Sequence, residues 1–269
     1  MRCFVGKIVT HEEVQSDLKQ LIPDAALRRR MSRVVKMAVS TAVECLGGVA
    51  EIPSVDAILT ATGWGCLADS EKFLRNLITE QEQLLNPTPF IQSTFNTVGG
   101  QIALLGHNHC YNLTYVNRSH SFEDALLDGM MRLADGESRR VLLGAFEEMI
   151  PSLETITRRM GWWREHTAGE GACFMTLTPE READSVAQVV QLDFPIEELS
   201  AEECRARYAT TPDAELIYCD AMHEELYPTR SAARFSEAVQ RIKSGTKEVV
   251  LYNNCMGMRP TVLVLQWLG

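Results

Sequence analysis

The chain has 269 residues, of which 45% are hydrophobic and 23% charged, and a formal net charge of −10, the balance of a globular protein with a sizeable core. That negative field argues against general affinity for nucleic acid or for an anionic membrane, since both would repel it. The opening MRCFVGKIVTHEEVQ turns polar before reaching signal-peptide length, and no segment approaches the ~18 consecutive apolar residues of a membrane-crossing helix, so a cytoplasmic protein is expected.

In chain order, CFVGKIV reads as a strand. Residues 25–46 carry Leu27, Met31, Val34, Ala38, Ala42 and Cys45 at three-to-four spacing, which predicts one amphipathic helix stopped by Gly47-Gly48. DAILTATG is a buried-type strand, and DSEKFLRNLITEQEQLL is a helix ending before Asn86-Pro87. GGQIALLG reads as helical, YNLTYV as a strand, and the stretch from Phe122 to Leu133 as a helix with one apolar face. Strands RRVLLGAF, GACFMTL and VAQVVQLDF follow, then helix SAEECRARY, strand AELIYCDA, helix SAARFSEAVQRI and the strands EVVLYNN and TVLVLQWL. Strands alternating with helices predict a layered α/β fold. No linker-like composition separates its halves, so residues 1–182 and 183–269 are expected to pack on one core.

Cys3, Cys45, Cys66, Cys110, Cys173, Cys204, Cys219 and Cys255 are scattered singly, with no C-x-x-C pair; in a cytosolic protein they read as reduced, structural thiols. His107, His109 and Cys110 form HNHC, which has no remote partner pair and reads as a polar loop. No glycine-rich phosphate loop is present, and neither a cofactor nor a metal is expected.

Four segments, ATGWGCLADSEKFL, PTPFIQSTFNTVGGQIAL, SFEDALLDGMMRLADGESRRVLLGAFEEM and GEGACFMTL, resemble in order and spacing the N-terminal half of β-ketoacyl-acyl-carrier-protein synthases, and NNCMGMRPTVLVL resembles that family's closing strand-turn-strand. The likeness covers roughly residues 30 to 180 and is strongest to the divergent synthase-like proteins of aryl polyene pigment pathways. It implies a thiolase-like αβαβα fold with a shortened second half, and decarboxylative condensation of acyl groups on acyl carrier protein. In that family a cysteine at a helix N-terminus takes the acyl group as a thioester, its thiol activated by the helix dipole.

The cysteine's place in this chain falls on Ser119, between Arg118 and His120. A serine there needs an aligned general base. His120 is adjacent in sequence, which is poor grounds for a hydrogen bond. Ser121-Phe122-Glu123-Asp124 reads as a capping serine ahead of acidic residues, a helix start. The family's first catalytic histidine aligns with Met222, leaving His223 one residue late and flanked by Glu224 and Glu225; its second histidine has no counterpart.

The resemblance therefore implies a chain-length-factor-like partner of an active ketosynthase, with FIQSTFNTVGGQIALL and YNLTYV supplying interface and tunnel wall. Two alternatives stand beside it: an autonomous acyltransferase with Ser119 as nucleophile and His223 or His120 as base, and a homodimeric acyl-binding module. Arg28, Arg29, Arg30, Arg33 and Lys36 form a basic cluster on an acidic chain, opposite Leu27 and Met31. It reads either as the face that steers an acidic acyl carrier protein or as a solvated face or subunit contact.

Overall fold

A computed structural model describes residues 2–83, 85–220 and 224–269. Its strands in chain order are β1 (Cys3–Thr10), β2 (Ala57–Ala61), β3 (Tyr111–Tyr115), β4 (Val141–Glu147), β5 (Thr167–Ala168), β6 (Gly171–Thr178), β7 (Ala187–Asp193), β8 (Glu215–Tyr218), β9 (Glu225–Leu226), β10 (Glu248–Asn253) and β11 (Thr261–Gln266). Its α-helices are α1 (Leu18–Leu21), α2 (Ala25–Arg30), α3 (Arg33–Leu46), α4 (Leu67–Thr79), α5 (Pro87–Gln92), α6 (Thr97–Leu105), α7 (Ser121–Ala134), α8 (Pro151–Arg159), α9 (Ala201–Tyr208) and α10 (Arg230–Lys243).

Nine strands join in the order β3-β2-β4-β6-β1-β7-β11-β10-β8, and β5 pairs with β9 apart from them. The period-two alternation of each strand sorts its side chains onto two faces. Val141, Leu143 and Ala145 of β4, and Leu263 and Leu265 of β11, enter one large cluster with Phe122, Leu126 and Met130 of α7 and Phe235, Val239 and Ile242 of α10. The opposite faces bury elsewhere: Leu142 and Phe146 against α3 and α6, and Val250, Val262 and Val264 against Cys204 and Tyr208 of α9. The layers thus run α3/α6, first half-sheet, α7/α10, second half-sheet, α9. The two central helices meet edge to face through Phe122 and Phe235, ring centroids 5.6 Å apart. The joint between the half-sheets is the antiparallel pair β1 and β7, with Phe4 opposite Gln188.

Most expected elements lie where the periodicity places them, while α1, α5, α8, β5 and β9 fall where none was expected, and three expectations differ in detail. The helix expected over 25–46 is two helices, because Met31 leaves α2 in extended conformation and turns inward to become 3% exposed, and Ser32 then precedes α3. Asp24 starts α2 by accepting the N–H groups of Ala26 and Leu27 at 2.8 and 3.0 Å. The helix expected to run to Leu85 ends at Thr79, where Gln81 and Glu82 take left-handed backbone angles. Ser121 does not cap α7 from outside; it is the first helical residue. The stop of α3 is as expected: Gly47 adopts φ 92°, and the N–H groups of Gly47 and Gly48 both return to the Val43 carbonyl at 3.0 Å.

Truncating Phe235 to alanine removes the ring that joins the two central helices in the fully buried layer, and should destabilise the chain by about 3–5 kcal/mol, read as a lowered midpoint in chemical denaturation with the slope unchanged.

Candidate functional site

The turn from β3 into α7 is where the resemblance places a nucleophile. A 3-10 turn, Arg118–His120, joins the two elements. Arg118 is held at φ 52°, a left-handed conformation that costs an arginine about 1–3 kcal/mol unless its surroundings enforce it. The enforcement is visible. The Ser121 hydroxyl donates toward the carbonyls of Arg118 and Thr62, at 2.7 and 2.9 Å, and accepts the Asn117 N–H at 2.8 Å. The neighbouring 62–65 loop comes so near that a β-carbon on Gly63 would lie 2.3 Å from the Pro228 ring and 3.3 Å from the Arg118 carbonyl.

Ser119 is fully buried. Its hydroxyl donates to the Cys255 carbonyl at 2.8 Å, and its own carbonyl accepts from the Asn253 side-chain amide at 2.9 Å. His120 turns the other way: its Nε2 meets the Arg259 carbonyl at 2.5 Å, and its ring stands edge-on to Phe194 with centroids 6.0 Å apart. The two side chains therefore form no pair, and the serine hydrogen is engaged by a backbone carbonyl rather than a base. His223 lies outside the described residues. Arg118, exposed to solvent, is the residue the strained turn displays.

Three buried polar residues that the sequence reading missed hold this turn. Asn253, at the end of β10, donates to Oε1 of Glu123 at 2.8 Å while its Oδ1 accepts the Cys255 N–H at 3.1 Å. The Thr261 hydroxyl reaches the same Glu123 oxygen at 3.2 Å. Burial pushes the Glu123 carboxyl up, against the lowering pull of the Asn253 amide. Glu147, last in β4, accepts the N–H of Gly63 and, at 3.2 Å, of Trp64; burial pushes its pKa up to about 8. The available signal was Glu147-Glu148 directly after the apolar run VLLGAF, where a solvated loop would be ordinary. Glu123 is the first-turn carboxylate that the sequence predicts and is fully buried as well.

Beside the turn, the ends of β8 and β10 border a cavity of about 440 Å³ lined by Trp162, His166, Glu198, Asp220, Leu226, Asn254 and Met256. With its amide nitrogen toward Asp220, Asn254 donates to both carboxylate oxygens at 2.8 and 2.9 Å. Two carboxylates thus give the cavity a negative wall. Among the described residues no three His, Cys, Asp or Glu side chains converge as a metal site would require. Asn108 of the HNHC loop instead donates to the carbonyls of Ile52 and Val55 at 2.8 and 3.0 Å.

The basic cluster is spread over α2 and α3 and shares no single helix face. Arg28 donates to the carbonyls of Ile22 and, at 3.3 Å, Pro23, and Arg29 to that of Ala25 at 3.2 Å. Arg33 makes a bidentate pair with Glu170, with 2.7 Å between Nη2 and Oε2, and lies 3.7 Å from Glu148. Arg30 borders a second cavity, about 410 Å³, with Leu27, Leu104 and His107. Lys36, one turn into α3, is half-buried.

At the opposite end of the sheet β3 is the outermost strand. Tyr111, Leu113 and Val116 on and beside it are 38–40% exposed, and Phe90, Ile91, Phe95 and Leu104 nearby in sequence are 48–57% exposed. An unpaired apolar edge of this kind is what a partner strand covers. No helix among the described residues is long and apolar enough to cross a membrane.

Residues 7–208 match the family model for the β-ketoacyl synthase N-terminal domain. No curated protein matches the chain. Among solved structures it is similar to the ishigamide ketosynthase/chain length factor, at TM-score 0.76 and 12% identity over 100% of both chains. It is also similar to a structure of a type II PKS acyl-carrier protein in complex with its ketosynthase bound to the hexaketide, at TM-score 0.81 and 13% identity over 99% of both chains. A ketosynthase in complex with its chain length factor from Xenorhabdus doucetiae aligns at TM-score 0.64 and 14% identity over 99% of both chains. These likenesses establish the thiolase-like ketosynthase fold.

Two outcomes follow from the buried polar groups. A carboxyl whose pKa is 4.5 unfolded and about 8 folded keeps its proton in the native chain; its folded form is therefore progressively disfavoured as pH rises through that window. Glu147→Gln should gain stability relative to the parent between those two pH values, and the difference between the two proteins should level off above the upper one, measured by denaturant titration at stepped pH. Asn253→Ala leaves Glu123 and the Ser119 carbonyl short of a donor and should cost about 2–4 kcal/mol, seen as a lower denaturation midpoint at neutral pH.

Proposed function

The chain belongs to the family of the β-ketoacyl synthase N-terminal domain, and from that premise we propose that it is a non-condensing, chain-length-factor-like partner of an active ketosynthase in chain elongation on acyl carrier protein. The observation that carries this reading is the state of Ser119: buried, with its hydroxyl donated to the Cys255 carbonyl at 2.8 Å and its neighbouring histidine turned away. Family members condense through a thiolate at the start of this helix; no cysteine occupies residues 117–121. A hydroxyl bound to a carbonyl acceptor has no route to lose its proton on attack, which counts against the autonomous acyltransferase with Ser119 as nucleophile.

The cavity wall supports the same reading. Decarboxylative condensation requires a malonyl carboxylate to sit in the site, and Asp220 and Glu198 oppose an anion there. Partner recognition is supported by the outer edge of β3 and its exposed apolar neighbours, and by the two similar structures described as a ketosynthase with its chain length factor. The isologous alternative, a homodimer over the same edge, is separated by the test.

The acyl carrier protein meets the basic residues of α2 and α3 in this reading. Arg28 and Arg29 serve their own helix and its entry, and Arg33 serves Glu170; Arg30 and Lys36 are left as the cations that greet an acidic carrier.

Co-expression with a ketosynthase encoded beside it should yield a 1:1 complex in size-exclusion chromatography with light scattering, and only the complex should elongate acyl primers with malonyl carrier. Acylation of the isolated chain at Ser119, or a homodimer that ignores the ketosynthase, would sink the proposal. Ser119→Ala in the complex should leave elongation within about twofold, while stability falls by about 1 kcal/mol for the lost hydrogen bond. The double change Arg30→Glu with Lys36→Glu should raise the apparent KM for carrier protein, and should flatten its dependence on salt, with kcat unchanged.

A further inference from the structure

Several separate segments of the chain wall the 440 Å³ cavity, and each is fixed by bonds of its own. Asp220 lies just beyond β8, and the Asn254 amide donates to both of its carboxylate oxygens, at 2.8 and 2.9 Å. Glu198 comes from the stretch between β7 and α9, where the next residue, Leu199, donates its N–H to the hydroxyl of buried Tyr252 at 3.0 Å. Trp162 follows α8: its N–H donates to the Thr157 carbonyl at 3.1 Å, and its ring stands edge-on to Trp163 with centroids 6.2 Å apart. Trp163 is in turn tied through Nε1 to the Thr157 hydroxyl at 2.7 Å. Leu226, buried in β9, and His166, which precedes β5, are brought together by the pairing of those two strands.

The charge of this cavity is unbalanced. Elsewhere in the second half of the chain carboxylates are matched: Asp193 lies 3.7 Å from Arg207, and Glu215 lies 2.6 Å from Arg241. Asp220 and Glu198 instead face a space that no lysine or arginine lines among the described residues. Two carboxylates sharing a concave, partly dehydrated space repel each other, and a cation entering it relieves both. His166 adds a ring nitrogen, Nδ1, that is closed to solvent and has no hydrogen-bond partner among the described residues, an acceptor that an incoming N–H would satisfy. The donor set is too small for a bare divalent ion, since no three metal-ligating side chains converge among the described residues. The rest of the wall, Trp162, Leu226 and Met256, is apolar. Such a lining suits a cation with an apolar body, whose N–H groups go to the carboxylates while the indole face attracts its charge.

We propose that the cavity binds an organic ammonium ion, a protonated amine on an apolar group, with Asp220 and Glu198 as its anionic partners and Trp162 as its aromatic wall. Asp220 contributes most, because Asn254 already holds its carboxylate in one orientation and little ordering is left to binding. Glu198, exposed to solvent, contributes less. The occupant is opposite in charge to a malonyl group, and the site is complete within this one chain, so the inference stands whether or not a ketosynthase partner exists.

Isothermal titration of the full chain with hexylammonium chloride, hexanol and sodium hexanoate at neutral pH tests this, because the three probes share an apolar body and differ in charge. Expected is saturable binding of a single hexylammonium, about tenfold or more tighter than hexanol, with no saturation by hexanoate. Asp220→Asn should weaken hexylammonium binding by about tenfold, Trp162→Ala by about three- to fivefold and Glu198→Gln by about two- to threefold. Glu202→Gln, on the exposed side of α9, should leave it unchanged. Trp162 and Glu198 are both exposed, so their variants decide the matter if Asp220→Asn does not fold. Absence of saturable hexylammonium binding, equal binding of hexanol, affinity unaltered by the Trp162 and Glu198 changes, or displacement of hexylammonium by equimolar magnesium would each overturn the proposal.

Discussion

A buried asparagine side chain is a polar clasp between the two halves of the molecule beside the start of α7. Asn253 ends a strand of the second half-sheet, yet its amide donates to the Ser119 carbonyl and the Glu123 carboxyl at the start of the first half's central helix, at 2.9 and 2.8 Å, in a region closed to water. With no solvent to substitute, loss of the Asn253 amide leaves the Ser119 carbonyl without its side-chain donor and Glu123 with only the Thr261 hydroxyl. The Ser119-to-Cys255 bond and the strained Arg118 turn are organised around this clasp.

The clasp also bears on the proposal that this helix start does no condensation. Catalysis at a helix N-terminus requires a side chain free to attack, a base to receive its proton, and a neutral or positive field for an anionic substrate. Here the hydroxyl has a carbonyl partner, the adjacent histidine contacts Arg259, and the nearby cavity is walled by Asp220 and Glu198. Glu147 holds the neighbouring loop through the N–H groups of Gly63 and Trp64, and burial raises its pKa against the lowering pull of those two bonds. These polar groups are engaged in holding backbone together, and β3 stands at the outer edge of the sheet.

Much of this was legible along the chain. Strands such as VLLGAF and TVLVLQ alternate so regularly that their two faces separate into different clusters, and the α3 stop follows from the freedom of Gly47 at φ 92°. The family was legible because its likeness is distributed over several segments rather than one motif, and residues 7–208 match it. The break between α2 and α3 was not, because helical periodicity continues through Met31; what interrupts the helix is the burial of that side chain against another layer. The basic cluster was visible as composition, but which of its members are engaged depends on Glu170, 137 residues away from Arg33 in sequence.

The sequence by itself determined the layered α/β class and the family, because periodicity, turn chemistry and spacing are local properties of the chain. Only the tertiary structure decided what Ser119 does. Its hydrogen-bond acceptor lies 136 residues further on, and the amide that holds its carbonyl comes from β10. Hydrogen bonds and buried charges depend on which groups share a water-free space. That is settled when the two half-sheets close on α7 and α10, and no local pattern of residues carries it.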